Sequence, residues 1–307
     1  MFRGGGLFGA RGGIPGPGGR PSYAVRQNQF PPPGGSGRSC ILYTIKSYVF
    51  AQSLDEAWEL LNRDRQNNVI LGGGCWLRLG KKRIRTAIDL CRLGLDQVRL
   101  ADGFVEIGAY VPLHRLETEP LLTQRFGGVL GKSVENIVGL QLRNLATVGG
   151  SVFSRFGFSD LITALLALDT RVVLYKAGEM PLEAFLSAPI RRGDILVKLR
   201  IRDDGRVAAY QSLRRTATDF PVVAAAVSRR GNRWVVSVGA RPGFARRSPL
   251  AAGVLERGEG CGAAGRAAAR ELPFGSNLRA GENYRRAVAA VLVRRAAQAC
   301  EEGGREA

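Results

Sequence analysis

Histidine is almost absent: His114 is the only one in 307 residues. Metal hydrolysis and Ser/His/Asp catalysis therefore have almost nothing to work with. Cysteine is scarce as well. The five cysteines, at positions 40, 75, 91, 261 and 300, include no Cys-x-x-Cys pair, so local spacing offers no zinc or iron–sulfur site. Any chemistry must then come from a bound organic cofactor. The odd cysteine count and the lack of a secretory signal point to a reducing compartment, and so to the cytoplasm. No apolar run reaches membrane-spanning length. Lysine is rare: Lys46, Lys81, Lys82, Lys132, Lys176 and Lys198 are six of 45 basic residues, leaving 39 arginines. The formal charge of +19 thus reads as drift toward arginine at solvated positions. No basic stripe interleaved with stacking aromatics stands out, and nucleic-acid binding is not expected.

What is present begins with a low-complexity stretch. Residues 1–40 hold twelve glycines, six prolines and five arginines but no acidic residue. Such a segment cannot bury enough to offset its ordering entropy and is expected to be disordered. An initiation codon assigned too far upstream would account for it, with the ordered chain starting near Tyr43. The remainder, 45% apolar overall, can hold two domains with a sizeable core.

Strand 43–49 opens this part, and Ser53-Leu-Asp-Glu56 is a capping box for a helix with Leu54, Ala57, Trp58 and Leu61 on one face. A short strand, Val69–Leu71, runs into Gly72-Gly73-Gly74, and a second strand follows at 84–90. A Rossmann site with Asp89 as the ribose acid is the competing reading. It fails on length, because only Cys75 to Arg83 separates the glycines from the next strand, too little for a crossover helix. The first glycine loop must therefore bind with its own amides while the chain stays extended. A hairpin is expected to turn at Asp102-Gly103, His114 to lie exposed at a helix start, and residues 130–140 to form a helix.

The second glycine segment, Thr147-Val148-Gly149-Gly150-Ser151, reads as a tight turn with exposed amides. Nine residues after Ser151, Asp160 is placed as the cap of the apolar helix 161–168. Glycine amides, hydroxyls and a capping carboxylate suit a ligand carrying phosphates and sugars, although a plain turn and cap explain them as well. Two such loops could grip both parts of one long ligand, and a dinucleotide diphosphate has that length. From Gly193 the pattern changes to antiparallel strands (195–201, 207–213, 222–228 and 234–239). The helix 282–299 is expected to pack on them through Val288, Val291, Leu292 and Arg295.

Four pieces in order carry a resemblance: Ile70–Leu77; Asn144–Gly150 with Asp160-Leu161 and Ala167–Asp169; Tyr210–Phe220; and Asn283–Arg286 with Leu292–Arg295. Together they resemble the FAD-binding subunit of molybdenum hydroxylases, the group of xanthine dehydrogenase, carbon monoxide dehydrogenase and the aldehyde oxidoreductases. The resemblance covers about residues 43–300. It implies an α+β chain: a two-lobed FAD domain of the vanillyl-alcohol-oxidase (PCMH) type over 41–203, then a small α+β domain with an antiparallel sheet over 204–300. Ile70, Leu71, Gly72, Gly73, Gly74, Cys75, Trp76 and Leu77 would wrap the FAD diphosphate, and Thr147, Val148, Gly149, Gly150 and Ser151 would hold its other side. Asp160 would accept ligand hydroxyls, while Ile137 and Leu196, the latter in an acidic–aliphatic–Leu pattern with Asp194, would pack near the flavin. Gln211 sits where many relatives place a lysine. The implied partners are a 2Fe–2S ferredoxin-like small subunit and a large molybdopterin-binding subunit, with NAD, ferredoxin or a quinone as acceptor.

The chain departs from the family pattern at Cys75-Trp76, where a threonine and a polar residue are usual, and at the bulky segment 151–158 with Arg155. Cys75 is expected to be a buried, inert thiol. Two alternatives stay open: an enolpyruvyl-sugar reductase of cell-wall synthesis, and a scaffold protein whose flavin loops have decayed.

Overall fold

The computed structural model describes residues 43–189 and 193–303; the Gly/Pro/Arg-rich segment and its expected disorder lie outside the described residues. The first lobe comprises β1 (Thr44–Phe50), α1 (Leu54–Arg63), β2 (Val69–Leu71) and β3 (Arg83–Asp89), with the strands parallel in the order β1-β3-β2. Ser53 caps α1 by accepting the Glu56 amide. The Glu56 carboxylate reaches back to the Gln52 amide at 2.7 Å, one residue before the partner a capping box would use. The β2–β3 link is not fully extended: it makes one 3₁₀ turn at Leu77–Leu79, which pairs the Arg78 and Gly80 amides with the Gly74 and Leu77 carbonyls.

The second lobe starts with β4 (Val98–Ala101) and β5 (Phe104–Gly108), joined through Asp102 (φ 51°) and Gly103 (φ 73°), the turn that matches strand twist. Short helices follow: α2 (Arg115–Thr118), α3 (Pro120–Thr123), α4 (Val129–Val134), α5 (Leu140–Leu145) and α6 (Val148–Phe153). Next come α7 (Asp160–Ala167), β6 (Thr170–Leu174), β7 (Gly178–Pro181), α8 (Leu182–Ser187) and β8 (Leu196–Arg202). The expected single helix over 130–140 is broken into α4 and α5, because Val138 takes φ 50° and Gly139 is extended. His114 caps α2 half-buried, not exposed.

The five strands form one sheet in the order β4-β5-β8-β6-β7, with every pair antiparallel. The antiparallel region therefore begins at β4, well before Gly193. Glu106 sits on this sheet between Lys198 (2.6 Å) and Arg99 (2.8 Å). Burial pushes its carboxyl up, but those two cations outweigh burial and hold it below the ordinary carboxylate range. A depressed folded value stabilises above the unfolded pKa and is lost as pH falls through the folded one. Glu106→Gln should therefore cost about 1–3 kcal/mol near neutral pH. Its urea midpoint should approach that of the wild type as pH falls below the ordinary glutamate range and through the lowered folded value.

The third part is a four-stranded antiparallel sheet, β9 (Val207–Arg214), β10 (Pro221–Arg230), β11 (Arg233–Gly239) and β12 (Arg246–Arg247), in the order β12-β11-β10-β9. It is covered by α9 (Pro249–Glu256), α10 (Cys261–Glu271) and α11 (Glu282–Gly303). β10 is buried on both faces and so reads as a continuous apolar run. Ala224 and Ala226 join the core of the second lobe, while Val223, Ala225 and Val227 join the helices. The sheets change between Arg202 and Val207, yet the core crosses that point, and the described residues form one compact unit. α7 lies between the two layers against α4, β10 and β11 and is buried at every position, as a helix apolar on all sides but for Asp160 and Thr163 requires. α11 does pack on the small sheet, with the expected Leu292 buried and Val288 partly buried against the core, and the rest of the face made by Ala289, Val293, Ala296, Ala297 and Cys300. Val291 and Arg295 face solvent, because the small alanines allow the closer approach. Among the described residues no helix is long and apolar enough to cross a membrane.

Candidate functional site

The two glycine segments meet. A Cβ on Gly72 would lie 2.8 Å from Thr147 Oγ1 and 3.7 Å from Gly150 Cα, and one on Gly73 would lie 1.7 Å from the Leu145 carbonyl oxygen. A Cβ on Gly149 would lie 2.7 Å from that of Ala109, within the second lobe. A side chain at Gly72 or Gly73 would force the lobes apart.

The loops differ in what they offer. Gly73 (φ 75°) and Gly74 (φ 66°) adopt consecutive left-handed conformations. The amides of Gly73, Gly74, Cys75 and Trp76 donate no hydrogen bond among the described residues. Successive free amides of this kind form a concavity for an anion. The second segment is not a turn with exposed amides but the start of α6, capped by Thr147, whose hydroxyl accepts from Gly150. The Val148 and Gly149 amides donate to the Val111 and Ala109 carbonyls, and those of Gly150 and Ser151 to Thr147, so the two glycines on this side supply close contact and no free amides.

A cavity opens on each side of the seam. One, of about 200 Å³, is lined by Ile70, Gly72, Thr147, Gly149, Gly150 and Leu196 among others. The second, of about 170 Å³, is lined by Cys75, Trp76, Ile137, Ser151 and Asp160 with Phe156, Phe158 and Phe220. Leu71, Gly73, Gly74, Leu77 and Val148 line neither; Val148 is fully buried in the core. Gln211 is not brought to the site. Strand alternation sets it with Ala209 and Leu213 toward the helices, on the face opposite Tyr210.

Asp160 is the first residue of α7, and Ser159, one earlier, is the cap that accepts the Ile162 amide. Its carboxylate is buried and held from β9: Tyr210 donates its hydroxyl to Oδ1, and Arg214 Nη2 lies 2.7 Å from the same oxygen. Burial pushes the Asp160 carboxyl up against the opposing charge of Arg214. Burial and then the Asp160 charge push the Tyr210 phenol far above its ordinary value, so it stays a donor. Neither Tyr210 nor Arg214 stood out as a site residue in the sequence. The available pointer was period-two spacing in Tyr210–Arg214, together with a lone acid in an apolar helix that would need a cation.

Other singled-out groups have structural partners. Asp89 accepts from the Tyr48 hydroxyl and the Cys91 amide, which leaves no ribose acid for a Rossmann site. Asp194 is buried and accepts the amides of Lys176, Ala177 and Ile195. Arg155 turns inward, 4.0 Å over the Phe185 ring, and donates to the Ala188 carbonyl at 2.6 Å. Cys75 is only partly buried, and burial pushes its thiol up, away from the reactive thiolate.

Family comparison agrees with this geometry: the model described as "FAD binding domain in molybdopterin dehydrogenase" matches residues 43–201. The chain belongs to this family. It is similar to the uncharacterized protein YgfM of Escherichia coli, 29% identical over 86% of this chain and 99% of that protein. It is also similar to the glyceraldehyde dehydrogenase medium chain of Sulfolobus acidocaldarius, 26% identical over 61% of this chain and 71% of that one. Among solved structures, a chain of carbon monoxide dehydrogenase from Hydrogenophaga pseudoflava has the same fold, with TM-score 0.77 and 23% identity over 85% of this chain and 99% of that one. The cofactor of this family is FAD, and the chain is an oxidoreductase component of the molybdenum hydroxylase type. The glycine cradle, with its free amides and paired cavities, fits a flavin nucleotide.

Proposed function

We propose that this chain is the flavoprotein part of an electron relay. Electrons released at a molybdopterin centre on a large partner would reach it through a 2Fe–2S ferredoxin-like subunit and leave to NAD or another two-electron acceptor. The observation that carries this reading is the seam itself, where side-chain-free backbone at Gly72 and Gly73 closes on Leu145, Thr147 and Gly150 beside two cavities. Among the described residues no three His, Cys, Asp or Glu side chains gather as metal ligands, which supports placing the clusters on a partner.

In this proposal the amides of Gly73–Trp76 take the diphosphate, and the Asp160 carboxylate accepts ligand hydroxyls. Leu196, Ile137 and Ile70 supply apolar contact and exclude water. FAD, when bound, supplies a ring system that accepts electrons singly and gives them up in pairs. The chain's own contribution is binding, orientation and a dry setting.

The chain purified alone should take up about one FAD and show an oxidised-flavin spectrum, yet turn over no hydroxylase substrate. A folded chain that stays colourless in excess FAD would overturn this reading and favour the scaffold alternative.

A further inference from the structure

Four aromatic rings from three segments converge on the cavity that holds Ser151 and Asp160. Trp76 comes from the first glycine loop, Phe156 and Phe158 from the turn between α6 and α7, and Phe220 from the β9–β10 loop. The Trp76 centroid lies 4.6 Å from Phe156, 5.5 Å from Phe158 and 5.9 Å from Phe220, and its plane is within 22° of Phe220. Phe156 and Phe158 are nearly parallel, 11° apart at 5.0 Å. Rings gathered only to fill a core would be buried, but Trp76 is 42% and Phe220 36% exposed. The guanidinium of Arg279 sits 5.1 Å over the Phe220 ring while ion-paired to Asp219 at 2.6 Å, which restrains that ring. Stacking faces this large, left open to water beside a polar floor of Ser151 and Asp160, suit a ligand with a planar ring joined to a hydroxylated chain.

We propose that Trp76 and Phe220 form a stacking surface for a planar heteroaromatic ring of the bound nucleotide, either the adenine or the flavin ring system, with Trp76 as its principal positioning residue. This inference rests on the flavin-binding reading above. It concerns the position where the chain departs from the family pattern.

The test uses the full chain with Trp58→Phe and Trp234→Phe, which leaves Trp76 as the sole indole. Flavins quench indole emission through space, so two contact-dependent readouts are needed. If adenine stacks on Trp76, ADP alone quenches its emission. If the flavin ring stacks there, the FAD-loaded chain shows a long-wavelength charge-transfer shoulder that disappears in Trp76→Leu. Either result supports the proposal and identifies the ring. In both cases Trp76→Leu should weaken FAD binding about tenfold, within the range for one stacked ring. Trp76→Phe should recover most of that loss. Stoichiometric FAD uptake with no ADP quenching, no shoulder and an affinity for Trp76→Leu within about twofold of the parent would overturn the stacking proposal and leave flavin binding intact. No FAD uptake by any folded form would overturn both.

Discussion

Gly73→Ala should lower FAD uptake at least about tenfold and the melting temperature by about 5–10 °C. The added methyl would lie 1.7 Å from the Leu145 carbonyl oxygen and 2.6 Å from its carbon, both backbone atoms that no rotamer change can move aside. A left-handed φ of 75° adds roughly 1–2 kcal/mol for any residue with a Cβ. Relief of the clash requires the first glycine loop to back away from the α5–α6 junction, at a further cost of about 1–3 kcal/mol. That movement opens the seam that shapes both cavities. Gly74 provides the control: its φ is 66°, but a Cβ there meets nothing within 4 Å. Gly74→Ala should therefore show only the conformational cost and keep most of its flavin. Calorimetry and released-flavin absorbance on both variants decide the matter, and equal behaviour of the two would refute the role given to the seam.

Asp160→Ala should destabilise the chain by about 3–5 kcal/mol, because it leaves the Arg214 guanidinium buried and uncompensated. The side chain of Arg214 is only 8% exposed and that of Asp160 5%, so water cannot take over the lost partner. The pair also bridges α7 and β9, tying the second lobe to the antiparallel sheet. Adding Arg214→Met should recover at least about half of the loss, since removing both charges costs less than stranding one. Urea unfolding of the two single variants and the double variant gives the coupling directly. If the double variant is as unstable as the two losses added together, the ion pair is not the source of the effect. Flavin affinity measured on the same proteins then reports separately whether Asp160 also meets the ligand.

Local chemistry was readable wherever it depends on neighbours in the chain. The Ser53 cap, the strand Val69–Leu71 and the Asp102-Gly103 turn all follow from short-range propensity and spacing. The spacing between the triple glycine and β3 was enough to discard a dinucleotide crossover, because chain length limits what can be folded between two strands. The ordered set of four segments, two of them glycine loops, was enough to suggest a flavin family.

Contacts between residues far apart in the chain were not legible. Whether Thr147–Ser151 has free amides depends on the carbonyls of Ala109 and Val111, which approach across an isolated bridge near Pro112. The break after α4 depends on Val138, whose positive φ contradicts the preference of a β-branched residue. Gln211 and Tyr210 are adjacent in sequence, yet strand alternation sends one toward the helices and the other to Asp160. The aromatic group of Trp76, Phe156, Phe158 and Phe220 spans three segments, and none of them predicts the others. Pattern along the chain specifies elements and bends, because these are governed by short-range sterics and hydrogen bonding. Which faces meet, and therefore which groups reach the ligand, is set by packing between distant segments.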